Sequence, residues 1–332
     1  MIVCCGENLI DMVPAVPPRG AAVPHNAIFS AVPGGCPYNS AIAASRLGAE
    51  VEFLGATSSD FLGDRLFERL TANGVGTSLL SRIDSPATLA FVEKNEKGEA
   101  RYAFYRNGTA DMGYSVADLP PFLPAEAHFL LAGSISLALP PIADAVAALI
   151  RREGRRLLVS LDPNIRASLI PDRESHIAHI EALLESCAIF KASDEDLAWM
   201  YGDRPIGELV SHILSLGPEI VFVTRGKEGA FAATKKSRAA VKAFDLQVVD
   251  TIGAGDTFHA ALLVAFEMRT VRTREALAAL DSESLHSILR FAAAAAAITC
   301  TREGADPPRL EELLRCYPDC PPRDAAVSSH ND

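Results

Sequence analysis

Short apolar runs alternate with segments of helical character along most of this 332-residue chain. Ile2 to Cys5, Val51 to Leu54, Ala127 to Leu131, Arg156 to Leu161, Ala188 to Lys191 and Ile220 to Thr224 read as strands, the first stopping at Gly6-Glu7. Between them Asn39 to Leu47, Pro141 to Arg152 and Ser175 to Glu185 read as helices, one closed by Gly48 and one opened near a proline. Such alternation implies an α/β fold whose mainly parallel sheet is covered on both faces. Ligands of such sheets sit outside the carboxyl ends of the strands, so functional residues are sought there.

Two segments break the rhythm. Leu89 to Glu93 and Arg101 to Arg106 flank the polar turn Lys94 to Glu99, the pattern of an antiparallel hairpin. Met12 to Val32, rich in Pro and Ala, stands where a strand-to-helix loop should be brief. Together they predict a small β lid, drawn from about 12–33 and 88–108, of the kind that keeps water from a reacting group. The remaining chain to residue 316 forms one domain in this reading, and 317–332 a flexible tail.

A net charge of -11 argues against non-specific nucleic-acid binding, which needs clustered Lys and Arg. Seven cysteines, with Cys4-Cys5 adjacent in the first strand, follow no framework spacing and suit reduced thiols. The longest apolar stretches, such as Phe291 to Ile298, fall short of a membrane span of about 20 residues, and the amino-terminal residues lack a basic region before an apolar one. The expectation is a cytoplasmic protein with neither nucleic-acid nor membrane partners.

Chemistry concentrates in Asp250-Thr251-Ile252-Gly253-Ala254-Gly255-Asp256-Thr257-Phe258, which runs into the apolar helix Ala260 to Phe266. Gly253, Ala254 and Gly255 present almost no side chain, so a phosphoryl group can approach free N–H groups and the positive end of a helix dipole. A carboxylate is a poor anion binder. Asp256 inside such a site therefore suggests a proton acceptor for an attacking hydroxyl, although a tight turn with Asp as a helix cap uses the same residues. No Walker pattern is present, and no third glycine completes a dinucleotide fingerprint. Upstream, Gly34-Gly35-Cys36-Pro37-Tyr38-Asn39 forms a second glycine-rich entry to a helix, where Asn39 offers a donor and an acceptor to hydroxyl groups or acts as a cap.

These motifs carry a resemblance. From Ile2 to about Pro308 the chain resembles the ribokinase-like (PfkB) carbohydrate kinases, with both signature regions in order: Gly34-Gly35 to Gly63, and Asp250 to Phe258. Asp162-Pro163-Asn164-Ile165-Arg166, Val223 to Gly229 and Thr301 to Pro308 extend it. The resemblance implies a three-layer sandwich with a central sheet and a lid, and ATP with Mg²⁺. It makes Asp256 the catalytic base and the N–H groups from Gly253 to Asp256 the anion hole. It places Asp11, Gly34, Gly35, Asn39 and Arg166 at the sugar and the transferred phosphate, and Ser193, Thr224, Gly226, Gly229 and Gly255 at the nucleotide.

The family often has Asn-x-x-Glu where this chain has Ser193-Asp194-Glu195-Asp196. Asp196 would hold Mg²⁺ through water, or the segment is a helix cap followed by first-turn acids. A K⁺ site near Asp250, Ile252, Thr299, Arg302 and Gly304 is implied in the same way. Phe104 to Asp111 looks like the fructokinase lid segment, in which Arg106 would reach the sugar. The expectation is an ATP-dependent kinase making fructose 6-phosphate, dimeric through the β lid. A 2-keto-3-deoxygluconate kinase, a ribokinase and a non-catalytic sugar sensor are the alternatives.

Overall fold

The computed structural model describes residues 1–15, 28–94 and 100–320. Thirteen strands follow in chain order among these residues: β1 (Ile2–Cys5), β2 (Leu9–Pro14), β3 (Phe29–Gly34), β4 (Val51–Ser58), β5 (Leu80–Ile83), β6 (Thr88–Lys94), β7 (Ala100–Tyr105), β8 (Phe129–Gly133), β9 (Leu158–Asp162), β10 (Ile189–Ser193), β11 (Ile220–Thr224), β12 (Ala230–Thr234) and β13 (Arg238–Val241). The helices are α1 (Cys36–Arg46), α2 (Phe61–Ala72), α3 (Ile142–Glu153), α4 (Arg173–Leu184), α5 (Asp194–Tyr201), α6 (Ile206–Ser215), α7 (Ala254–Met268), α8 (Arg274–Ala278), α9 (Ser282–Cys300) and α10 (Leu310–Cys316).

Nine strands form one sheet in the order β13-β12-β11-β10-β9-β8-β1-β4-β5, parallel except where β12 and β13 run antiparallel at one edge. Period-two alternation explains how it is covered. In β1 the side chains of Ile2 and Cys4 join a core shared with α1, α7 and α9, while Val3 and Cys5 join the opposite core with α3, α4 and α6. The result is the expected α/β three-layer arrangement. The adjacent cysteines are free thiols on opposite faces. Among the described residues no helix is long and apolar enough to cross a membrane.

The chain leaves β1 for β4 on one side and returns to β8 on the other, which makes the carboxyl ends of β1 and β8 the switch point where a crevice opens. Over that crevice stands a second sheet, β3-β2-β6-β7. It begins at Leu9, three residues before the stretch in which a lid was expected. Residues 16–27 and 95–99 of the expected lid lie outside the described residues, as do 321–332 of the expected tail. The first residues of that tail are packed rather than loose: the Tyr317 ring meets that of Phe244 at a tilt, centroids 4.4 Å apart, and Cys320 is buried.

Candidate active site

A cavity of about 890 Å³ occupies the crevice. Its walls come from the end of β1 (Glu7), from β2 (Asp11), from the start of α1 (Gly35, Cys36, Asn39), from β7 (Tyr102, Phe104), from the loops after β8 and β9, from β10 (Lys191), and from Asp250 to Asp256.

Gly253 starts the phosphate-type motif in a left-handed conformation, φ 75°, and a Cβ there would lie 2.6 Å from that of Ala305, so no other residue fits without movement. From that turn α7 begins with Asp256 in its first turn. The N–H groups of Gly255 and Asp256 make no hydrogen bond to the described residues, as helix starts leave them. Ala254 departs from the expectation: its N–H donates to the Thr251 carbonyl at 3.2 Å and it is absent from the cavity wall. Of the stretch Gly253 to Asp256 it is Gly253, Gly255 and Asp256 that line the cavity.

Asp256 is 8% exposed and accepts a 2.9 Å hydrogen bond from Asn39 Nδ2. Burial raises its pKa from the ordinary carboxylate value, against the lowering effect of Cys36, Asn39 and the Lys191 ammonium. A carboxyl group poised in this way takes up a proton more readily than a solvated one. Opposite it, Asp11 has a pKa pushed up to about 7 by burial, opposed by Arg166 and reinforced by Asp256 and Glu7. Arg166 lies 5.6 Å over the Tyr102 ring and donates to the Asn164 side chain at 2.7 Å.

Two wall residues other than glycine, Ser134 at φ 61° and Asn164 at φ 36°, adopt left-handed backbone. Strain of this kind gathers where a site must be held in one shape. Unpartnered buried polar atoms cluster here too: Asn39 Oδ1 on the wall, and both terminal nitrogens of Arg106, which is 8% exposed and close enough to Asp111 and Glu7 to feel their charge. Polar atoms left unmatched in a buried site are ready for a polyhydroxyl ligand. Arg106 itself is not part of the cavity wall.

Other expected residues are placed differently. Gly34 underlies Asp11, since a Cβ there would fall 2.1 Å from the carboxylate, and it is absent from the wall where Gly35 is present. The Asp196 carboxylate is consumed internally: Oδ1 accepts from Ile165 N–H at 2.8 Å, while Oδ2 accepts from the Ser193 N–H and hydroxyl, closing a capping box at the start of α5. Glu195, not Asp196, reaches the cavity. Ser193 and Thr224 are paired neighbours at the carboxyl ends of β10 and β11, and Gly226 stands in open space. Gly229 has a packing reason, because a Cβ would come within 2.0 Å of the Val241 carbonyl.

Around the expected K⁺ site, the Asp250 carboxylate accepts from the N–H groups of Thr251, Ile252 and Gly304. The Thr299 carbonyl accepts from Arg302 N–H, and the Arg302 side chain pairs with Glu312 and Asp306.

Three charged wall residues had no separate reading in the sequence. Glu7 is buried, accepts from Cys36 N–H at 3.1 Å and is locked to Ser136 by a short hydrogen bond. Burial raises its pKa against the lowering hydrogen bond of Ser136. Lys191 is buried and bonded to Asp162 at 2.6 Å. Burial disfavours the lysine's charge, but the carboxylates of Asp162 and Asp196 outweigh it and raise its pKa. Glu195 is the third.

A carboxyl group beside unpaired helix N–H groups, facing a wall of hydroxyl-matching side chains, is equipped to pass a phosphoryl group to an alcohol. The chain belongs to the pfkB family of carbohydrate kinases, whose family model matches residues 1–312. It is 40% identical over 289 residues to a fructokinase of Rhizobium leguminosarum bv. trifolii, covering 86% of each chain, and 37% identical over 320 residues to fructokinase-2 of Solanum habrochaites, covering 95% of each. Among solved structures, fructokinase from Xylella fastidiosa with bound ATP superposes with a TM-score of 0.86 at 30% identity, over 96% of this chain and 98% of that one. Fructokinase from Vibrio cholerae O395 with fructose, ADP and calcium ion superposes with a TM-score of 0.79 at 25% identity, over 95% and 97%.

Proposed function

We propose that the protein transfers the γ-phosphoryl group of ATP to the primary hydroxyl of D-fructose, giving fructose 6-phosphate. The observation that carries the reading is Asp256, a buried carboxyl group set inside a hole of unpaired N–H groups and steadied by Asn39. The relatives named fructokinase, together with the fructokinase structures holding ATP in one case and fructose with ADP in another, support the choice of substrates.

In this reading Asp11, Asn39 and Arg106 bind the sugar hydroxyls, Asn39 and Arg106 through their unmatched buried polar atoms, Arg106 reaching in from behind the wall. Asp256 accepts the hydroxyl proton as the oxygen attacks phosphorus, and the N–H groups of Gly253, Gly255 and Asp256 take up the charge on the phosphoryl oxygens. Arg166 holds phosphate at the mouth, and the nucleotide lies over the ends of β10 and β11 beside Ser193 and Thr224. Mg²⁺, when bound, neutralises phosphate oxygens. The residues present fit it through Glu195, whose carboxylate is free at the cavity, rather than through the fully engaged Asp196, since Mg²⁺ keeps most of its waters and needs few carboxylates. K⁺, when bound, would brace the loop that the Asp250 carboxylate already staples through Thr251, Ile252 and Gly304. The small sheet acts as a lid, and its outward cluster of Phe29, Phe91 and Tyr105, with ring centroids 5.2 and 5.4 Å apart, suits a homodimer.

Measuring kcat/KM with ATP and Mg²⁺ for fructose, ribose and 2-keto-3-deoxygluconate tests the substrate. Fructose should lead. A tenfold preference for the acid sugar would retire fructose and leave the kinase chemistry standing, because a buried Arg106 would then be answering a carboxylate.

A further inference from the structure

We infer that Lys191 is a further catalytic residue, whose ammonium donates a hydrogen bond to the phosphoryl group in flight while Asp162 holds it in place. The inference rests on the kinase reading above and adds a cation to it.

Lys191 stands in the middle of β10 between Phe190 and Ala192, both fully buried, and is itself only 4% exposed. An ammonium taken out of water costs several kcal/mol unless it is paired. Asp162, at the end of the neighbouring strand β9, accepts one of its three protons at 2.6 Å. Asp162 is fixed in turn, since its other oxygen accepts from Asn164 N–H at 3.1 Å, at the left-handed residue of the cavity wall. Its remaining neighbour, His259, stands 4.0 Å away on α7 with its Nε2 against the Ser160 hydroxyl, and burial keeps the imidazole neutral. Lys191 is thus the one charged partner of Asp162 among the described residues.

The ammonium makes no second hydrogen bond to the described residues and opens on the cavity. Its Nζ lies 3.3 Å from where a Cβ on Gly255 would stand, so the missing side chain at 255 leaves the nitrogen facing the helix start where the unpaired N–H groups are. An ion pair serving the core alone has no need of this position, and apolar residues fill such places at no loss of stability.

Charge balance gives the reason for it. The wall carries Glu7, Asp11, Glu195, Asp250 and Asp256 against Arg166 and Lys191. In the transfer the sugar oxygen bonds to the γ-phosphorus, the bond from that phosphorus to the β,γ-bridging oxygen breaks, ADP leaves, and the hydroxyl proton passes to Asp256. The arriving phosphoryl oxygens are drawn toward a carboxylate, and Lys191, which keeps all its protons, offsets that repulsion at the point of transfer.

The experiment compares wild type, K191Q, the double variant K191M/D162N and D256N, with ATP, Mg²⁺ and fructose, reading kcat, KM for sugar and thermal midpoint. The double variant removes both buried charges together and leaves no stranded Asp162. K191Q keeps a donor to Asp162 without the charge. Loss of a preorganised donor at a transferring group lowers kcat by roughly 10²- to 10³-fold. Both variants should show that loss with KM for sugar within threefold, the double variant with a midpoint near wild type and K191Q, which leaves Asp162 without its countercharge, with a lower one. If the folded double variant or folded K191Q recovers kcat to within fivefold of wild type, Lys191 only neutralises Asp162 and the inference falls. With D256N inactive, that result leaves the kinase reading intact. A wild type unable to phosphorylate any sugar, or a D256N as fast as wild type, overturns the reading of the site and this inference with it.

Discussion

Gly253→Ala is the sharpest perturbation of the anion hole. The new Cβ would stand 2.6 Å from Ala305 Cβ and 2.9 Å from Ala305 Cα, where carbon atoms ordinarily meet at about 3.5–4.0 Å. Relief needs a shift of roughly 1 Å, that shortfall, by one side or the other. Ala305 is poorly placed to give way: it is buried, and its carbonyl accepts from Arg69 at 2.7 Å. The start of α7 must move instead, and Gly255 and Asp256 move with it. Overpacking of this size costs about 1–3 kcal/mol, and the left-handed φ of 75° adds about 1–2 kcal/mol for a residue with a Cβ. Against a typical total of about 5–15 kcal/mol the variant stays folded, several degrees less stable. Its kcat is another matter, because a 1 Å misplacement at the reacting centre costs on the order of 100-fold. KM for sugar should change little, Asp11 and Asn39 being on other elements. Thermal unfolding with steady-state kinetics on the purified variant checks both numbers, and Ala254→Gly, at a residue whose N–H is turned away from the cavity, serves as control with kcat within threefold. A folded G253A with kcat within threefold of wild type would refute the claim that the hole is held by this contact.

Asp256→Asn should leave sugar binding in place and lower kcat by roughly 10²- to 10⁴-fold, the usual contribution of a positioned base, as rapid-quench or coupled assays would show; near-normal kcat in folded protein removes the base assignment. Arg106→Ala should lower kcat/KM for fructose by about 1.5–3 kcal/mol, the range for hydrogen bonds to charged groups, mostly through KM; an unchanged KM would mean the guanidinium never meets the sugar. Asp11, with its pKa raised to about 7, is protonated below that pH and ionised above it, so its capacity to accept two sugar hydroxyl bonds is gained as pH rises. KM for sugar should therefore increase as pH falls through about 7, and Asp11→Asn should flatten that profile; an identical slope in D11N assigns the titration elsewhere.

What the sequence disclosed were features local to the chain. Gly253 to Asp256 declares itself because the turn, the small residues and the helix are contiguous, and β6 and β7 are told by two short strands across a polar turn. The Asn39 to Asp256 bond, 217 residues apart, was approached only through two separate motifs. Lys191 read as the last residue of an ordinary strand, since its partner Asp162 becomes a neighbour only once β9 and β10 are laid side by side. Glu7 was hidden for the same reason: its meaning comes from Ser136, which arrives with β8 at the switch point. Asp196 read two ways because a carboxylate one turn into a helix serves equally for a cap or a metal, and the cap becomes visible only with the positions of Ile165 and Ser193. The edge strands β12 and β13 escaped notice, being short, rich in alanine and weak in alternation.

The strand β3 ends at Gly34 and, after Gly35 alone, the chain is already α1. Asp11 is on β2 of the same small sheet, and Asn39 is on the first turns of that helix with its amide on Asp256. No slack separates the cover from the chemistry, so a tug on the small sheet is felt at the proton acceptor. Whatever grips Asp11 therefore loads the α1 terminus as well, and through Asn39 the carboxyl group of Asp256.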